Sequence, residues 1–221
     1  MESWLSYLWY EFMYLACMAG MTLGFSIRLK GRHRIPRQGP FLLIANHQSF
    51  LDPVLVGLAS RRHLTFLARK TLFRHRALRW LITSLNAVPI DQEGVGKEGI
   101  KTILGELRKG NPVVVFPEGE RTHNGAMSPL RPGIHLLIKR TEAPVVPVGL
   151  AGAYQALPRW RKYPHLAPLF LPAGEAAMAV VVGRPLDARR LAAMPREQAL
   201  AELFTELQKV YQEAERLRRK P

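Results

Sequence analysis

Between Phe12 and Ile90 the sequence carries a single carboxylate, Asp52, against twelve lysines and arginines. Random surface decoration would scatter acids among so many cations, so one isolated acid points to a local partner for its charge. Cysteine is equally scarce. Cys17 is alone, which excludes an intrachain disulfide framework and any cysteine-built zinc site, and its apolar neighbours suit packing better than catalysis. The seven histidines show no paired spacing such as HExxH, so no metal site is predicted. Internal repeats and low-complexity tracts are missing. So are helix-turn-helix, zinc-finger and aromatic ribonucleoprotein signatures, and the cations are therefore not read as a nucleic-acid surface.

What is present begins with 221 residues, 48% of them apolar, enough for one α/β domain with a substantial core and an appendage. The net charge of +15 attracts polyanions, among them anionic lipid and phosphorylated substrates or carriers. From Ser3 to Ile27 only Glu11 is charged, close to the ~20 residues a helix needs to cross a bilayer. Trp4, Tyr7, Trp9, Tyr10 and Tyr14 have the character of an interfacial aromatic belt, and Arg28, Lys30, Arg32, Arg34 and Arg37 follow at once. The basic residues come after the apolar run, the reverse of a signal peptide. The expectation is a membrane-associating helical segment over residues 1–30 that either spans the bilayer or lies in its interface. The cations would hold the remainder, 31–221, on the cytoplasmic face. A helix buried in the core is the rival reading of the same residues.

Beyond this segment short apolar runs alternate with helical patterns. Phe41–Ala45, Leu64–Leu67, Ala87–Ile90, Val113–Phe116, Val145–Leu150 and Ala177–Gly183 read as strands. Val54–Ala59, Leu72–Leu85, Ile100–Lys109 and Gly133–Arg140 read as helices, and Leu200 to Leu217 repeats its apolar residues at threes and fours as one helical face. This alternation predicts an α/β fold with a mostly parallel central sheet flanked by helices. Gly152–Gly174, with its prolines, glycines, aromatics and cations, reads as a loop over the site or toward a membrane.

In "FLLIANHQSFLDP" a buried strand ends at Ala45, a loop carries Asn46 to Leu51, and Asp52-Pro53 opens a helix. Asp52 as a helix N-cap, worth about 1 kcal/mol, is one reading; a partner for His47 is the other. His47 sits at a strand's carboxyl end, where open α/β sheets place ligands, within loop reach of the only acid in the region. An aspartate bonded to one imidazole nitrogen fixes the tautomer and leaves the other nitrogen as a base.

Asn46-His47-Gln48-Ser49-Phe50-Leu51-Asp52 resembles the NHxSxxD motif of the glycerolipid acyltransferases, the family of 1-acylglycerol-3-phosphate O-acyltransferase. "FPEGERT" from Phe116 to Thr122 resembles that family's FPEGTRS block, and "VVPVGL" from Val145 to Leu150 its Pro-containing fourth block. Three blocks in order are far more specific than one. The resemblance implies a glycerol-3-phosphate acyltransferase-like fold over 31–221 and direct acyl transfer without a cofactor. His47, oriented by Asp52, would deprotonate the hydroxyl of a lysophospholipid that attacks acyl-CoA or acyl carrier protein. Asn46 and Ser49 would support the loop by hydrogen bonds. Arg121 and Lys70 suit a phosphate, Gly119 close backbone approach or an N–H for the oxyanion, and Glu118 the acceptor's hydroxyls or Arg121 itself.

Two positions depart from the pattern. In "NAVPIDQ" Gln92 stands where the family's second block usually has arginine, which opens the acceptor's head group to glycerol 3-phosphate or another lysolipid, and Glu120 replaces threonine. Gly94-Val95-Gly96-Lys97-Glu98-Gly99 is formally GxGxxG, but Asp91 and Glu93 would stand where a pyrophosphate should lie, so a nucleotide-binding protein is the weaker alternative. A lipid-binding module without catalysis is the other, and His47 separates it from an enzyme.

Overall fold

The computed structural model describes residues 4–90, 96–170 and 174–219. Gln92, together with Asp91, Glu93 and the first glycine of the GxGxxG pattern, lies outside the described residues.

Seven strands form one sheet: β1 (Arg28–Lys30), β2 (Leu42–Ala45), β3 (Thr65–Arg69), β4 (Ala87–Ile90), β5 (Val113–Val115), β6 (Val145–Ala151) and β7 (Ala179–Val182). Their order is β1-β7-β6-β2-β5-β3-β4. All neighbours are parallel except β6 and β7, so β1 and β7 run against the other five. The central strands β2, β5 and β6 are buried along their whole length, because LLIA, VVV and VVPVGLA have apolar residues for both faces. In register, Ile44 lies opposite Val115 on one side and Pro147 on the other.

Helices cover both faces. On one lie α1 (Trp4–Phe25) and α2 (Asp52–Ser60), whose Met21, Phe25, Leu55 and Leu58 share a core with Leu43 and Val148. On the other, α4 (Lys97–Arg108), α5 (Gly133–Lys139), α7 (Ala188–Ala193) and α8 (Arg196–Arg218) bury Ile103, Leu137, Leu191 and Leu203 against Leu42 and Val113. Alternate residues of one strand thus serve opposite cores. The helical pattern over Leu72–Leu85 is broken into a 3-10 turn, Lys70–Arg74, and α3, Arg76–Ser84, with His75 between them accepting a hydrogen bond from the Leu78 N–H. A short helix, α6 (Ala153–Ala156), opens the stretch read as loop.

The N-terminal segment is built into the domain. Tyr10, Met21 and Phe25 are buried, while Trp4, Leu5, Leu8, Phe12, Leu15 and Leu23 on the other side of α1 are exposed. No helix among the described residues is long and apolar enough to cross a membrane.

Helix α8 crosses β6 at a glycine. A Cβ on Gly149 would fall 2.3 Å from the carbonyl carbon and oxygen of Val210, backbone that cannot rotate aside. Gly149→Ala is expected to destabilise the fold by about 3 kcal/mol, read as a fall of roughly 6–12 °C in the thermal midpoint. An unchanged midpoint would contradict this packing.

Candidate active site

The carboxyl ends of β2, β3 and β5 bring the sequence blocks to one edge of the sheet. His47 follows β2. Its Nδ1 lies 2.7 Å from Asp52 Oδ2, and that oxygen also accepts the N–H groups of Gln48 at 2.5 Å and Ser49 at 2.7 Å. Asp52 is completely buried, in the first turn of α2, and Leu51 rather than Asp52 occupies the N-cap position. The capping reading therefore fails for a physical reason: the carboxylate is turned back onto the preceding loop and the imidazole. A carboxylate at Nδ1 favours the tautomer with its N–H there, which leaves Nε2 as the accepting nitrogen. The imidazole stacks on Phe116 of the FPEGERT block, centroids 4.1 Å apart and planes 17° apart.

Main-chain bonds tie the two blocks together. The His47 N–H donates to Glu118 Oε1 at 2.7 Å, and the His47 carbonyl accepts from the Thr122 N–H at 2.9 Å. Asn46 joins the fourth block, its amide donating to the Leu150 carbonyl at 2.9 Å and accepting from the Leu150 N–H at 2.8 Å. Ser49 is buried, its hydroxyl donating to the Leu157 carbonyl at 2.7 Å, which is the geometry of a brace.

Glu118 and Lys70 sit differently from what the sequence suggested. Glu118, expected to meet the acceptor's hydroxyls or Arg121, is buried, and its second oxygen accepts the Ser128 N–H at 2.6 Å, so the carboxylate holds the His47 loop. Gly119 lines the cavity with φ +84°, in keeping with close backbone approach, and its N–H donates to the Phe116 carbonyl at 3.1 Å. Lys70 is exposed, 3.5 Å from Glu98 on α4, and Arg69 one residue earlier lines the cavity in its place.

That cavity, of about 380 Å³, is the setting for His47. Its walls are mainly apolar, drawn from α1 (Met13, Tyr14), α2 (Val54, Leu58), β3 and α3 (Leu81, Ile82), with Arg121 among the few polar contributors. The Arg121 guanidinium lies 3.5 Å over the ring of Phe50, which also lines the cavity. Phe50 and the walls supplied by α1 and α3 carried no signal in the sequence blocks. Among the described residues no cluster of three or more His, Cys, Asp or Glu is placed to hold a metal ion.

Burial pushes the Glu118 carboxyl up from its ordinary 4.5 to about 7, against the pull of the Ser128 and His47 N–H groups. A carboxyl that holds its proton more tightly when folded adds stability fully below pH 4.5 and loses it as pH rises to about 7. The shift corresponds to about 3 kcal/mol. The stability difference between the native chain and Glu118→Gln is therefore expected to fall by that order between pH 4.5 and 7.5, measured by denaturant unfolding. A pH-independent difference would refute it.

An acid-held imidazole with a free Nε2, facing an apolar cavity that also holds an arginine, is equipped to deprotonate a hydroxyl on an amphipathic molecule. Residues 26–151 match the family model for acyltransferase, and the chain belongs to that enzyme family. Across 93% of its length it is 24% identical to the 1-acyl-sn-glycerol-3-phosphate acyltransferase of Bacillus subtilis, covering 96% of that protein. It is 30% identical to the human 1-acyl-sn-glycerol-3-phosphate acyltransferase alpha over 60% of this chain and 47% of the human one. The fold is that of the crystal structure of PlsC, the 1-acyl-sn-glycerophosphate acyltransferase of Thermotoga maritima, with a TM-score of 0.70, 22% identity, and coverage of 88% of this chain and 73% of that one.

Proposed function

We propose that this acyltransferase moves an acyl group from acyl-CoA or acyl carrier protein to the free hydroxyl of a lysophospholipid, with 1-acylglycerol 3-phosphate giving phosphatidate as the preferred reaction. The observation that carries the reading is the His47–Asp52 contact beside an apolar cavity that also contains Arg121. His47 Nε2 takes the proton of the acceptor hydroxyl as its oxygen attacks the thioester carbonyl. The tetrahedral intermediate then expels the thiolate, which recovers that proton from the imidazolium, and Asp52 offsets the imidazolium charge in between. The apolar walls suit an acyl chain, and Arg121 suits the acceptor's phosphate as a planar fork of donors. Similarity to the 1-acyl-sn-glycerol-3-phosphate acyltransferases of Bacillus subtilis and human supports the same substrate class.

The exposed apolar side of α1 and the net charge of +15 support a chain lying in the interface of an anionic membrane, its catalytic part on the cytoplasmic face.

The test is product analysis by mass spectrometry after offering purified enzyme a panel of lysolipids and glycerol 3-phosphate with acyl-CoA and acyl carrier protein thioesters. Phosphatidate formed fastest from 1-acylglycerol 3-phosphate is the expected result, and faster turnover of an uncharged lysolipid would overturn the acceptor assignment. Arg121→Ala is expected to raise the acceptor's KM about tenfold or more with a smaller change in kcat. An unchanged KM would remove Arg121 from the phosphate.

A further inference from the structure

Residues 157–170 present apolar side chains to solvent in a way no core requires. Trp160, Tyr163 and Phe170 are 66%, 80% and 81% exposed, and Leu166 and Leu169 accompany them. Large aromatics gathered on a surface mark an interaction site. The segment is held in shape. Ala167 N–H donates to the Gly24 carbonyl at 2.8 Å, Leu169 N–H to the Leu23 carbonyl at 3.1 Å, and Ser26 Oγ to the Ala167 carbonyl at 2.9 Å, so it lies along the last turn of α1. Its other end is rooted at the active site, where Leu157 accepts from Ser49 and Tyr154 OH donates to the His123 carbonyl at 2.9 Å.

Charge selects the partner. Between Glu142 and Glu175 there is no carboxylate, while Arg161 and Lys162 stand among the aromatics. Arg161 lies 5.2 Å from the Trp160 ring centroid. Amphipathic aromatics beside cations suit the headgroup layer of an anionic bilayer, and the exposed side of α1 continues this surface.

We propose that residues 157–170 are a second membrane-inserting ridge, distinct from α1, that seats an anionic phospholipid surface against the loops of the active site. The inference rests on the membrane-associated reading given above and adds the place and lipid chemistry of the contact.

The full chain is tested by flotation with phosphatidylcholine vesicles with or without phosphatidylglycerol. Joint replacement Trp160→Ser, Tyr163→Ser and Phe170→Ser is expected to lower partition into phosphatidylglycerol-containing vesicles about tenfold or more. Arg161→Gln with Lys162→Gln is expected to cost a similar factor in those vesicles and little in phosphatidylcholine alone. A polarity-sensitive dye on Tyr163→Cys, in a Cys17→Ser chain, should shift to the blue on vesicle addition, which reads insertion without the triple variant. No dye shift, native partition by the triple variant, or a concentration-dependent dimer that the triple variant abolishes in the absence of vesicle binding would each overturn the ridge. Vesicle binding needs no turnover, so a chain that inserts residue 163 yet acylates no acceptor defeats the enzymatic reading and leaves the ridge standing.

Discussion

Replacing His47 with alanine is expected to lower kcat/KM for acyl transfer by about 10²- to 10⁴-fold, the range general-base help contributes. The reasoning is geometric. Nδ1 is committed to a buried carboxylate, so the proton taken from substrate can only arrive at Nε2, and among the described residues no second histidine lines the cavity to substitute for it. The variant should still fold, because the His47 backbone bonds to Glu118 and Thr122 survive the loss of the ring. Far-ultraviolet circular dichroism and vesicle partition close to native would show that. Turnover within tenfold of native would end the general-base assignment and favour a lipid-binding module.

Asp52→Asn should lose activity by a comparable factor, on the order of 10²- to 10⁴-fold in kcat, through charge alone. Oδ2 accepts all three donors around it, whereas Oδ1 is buried with no hydrogen-bond partner. An asparagine can therefore place its carbonyl where Oδ2 was and keep the imidazole in the same tautomer. Its amide is then left where no acceptor waits, at a cost of about 1–3 kcal/mol in stability. What disappears is the negative charge that offsets the imidazolium formed during the reaction. A folded Asp52→Asn enzyme with near-native kcat would show that orientation, and not charge, is what the aspartate supplies.

Much of this architecture was legible because the central strands are uniformly apolar. VVV at 113–115 and VVPVGLA at 145–151 have no polar residue to offer solvent and so announce burial on both faces. The lone acid at position 52 and its histidine were legible for a different reason: their isolation in a basic stretch. Strand β1 was not, since Arg-Leu-Lys becomes a strand only by pairing with β7, some 150 residues away. The reversed direction of β7 is likewise a tertiary outcome. Glu118 was misplaced because a Pro-Glu-Gly turn looks solvent-facing, and nothing in its own segment reveals that the His47 and Ser128 N–H groups converge on it. At the end of β3, Arg69 and Lys70 are equivalent cations in sequence, and only the backbone's direction decides that Arg69 borders the cavity while Lys70 meets Glu98.

The clamping of position 47, through the Asp52 carboxylate, the Phe116 ring face and two peptide groups of the 116–122 turn, leaves its imidazole almost no rotational freedom. Alignment entropy at the proton-accepting nitrogen has been spent at synthesis, once per molecule, so each catalytic cycle has only the mobile lipid and thioester left to orient.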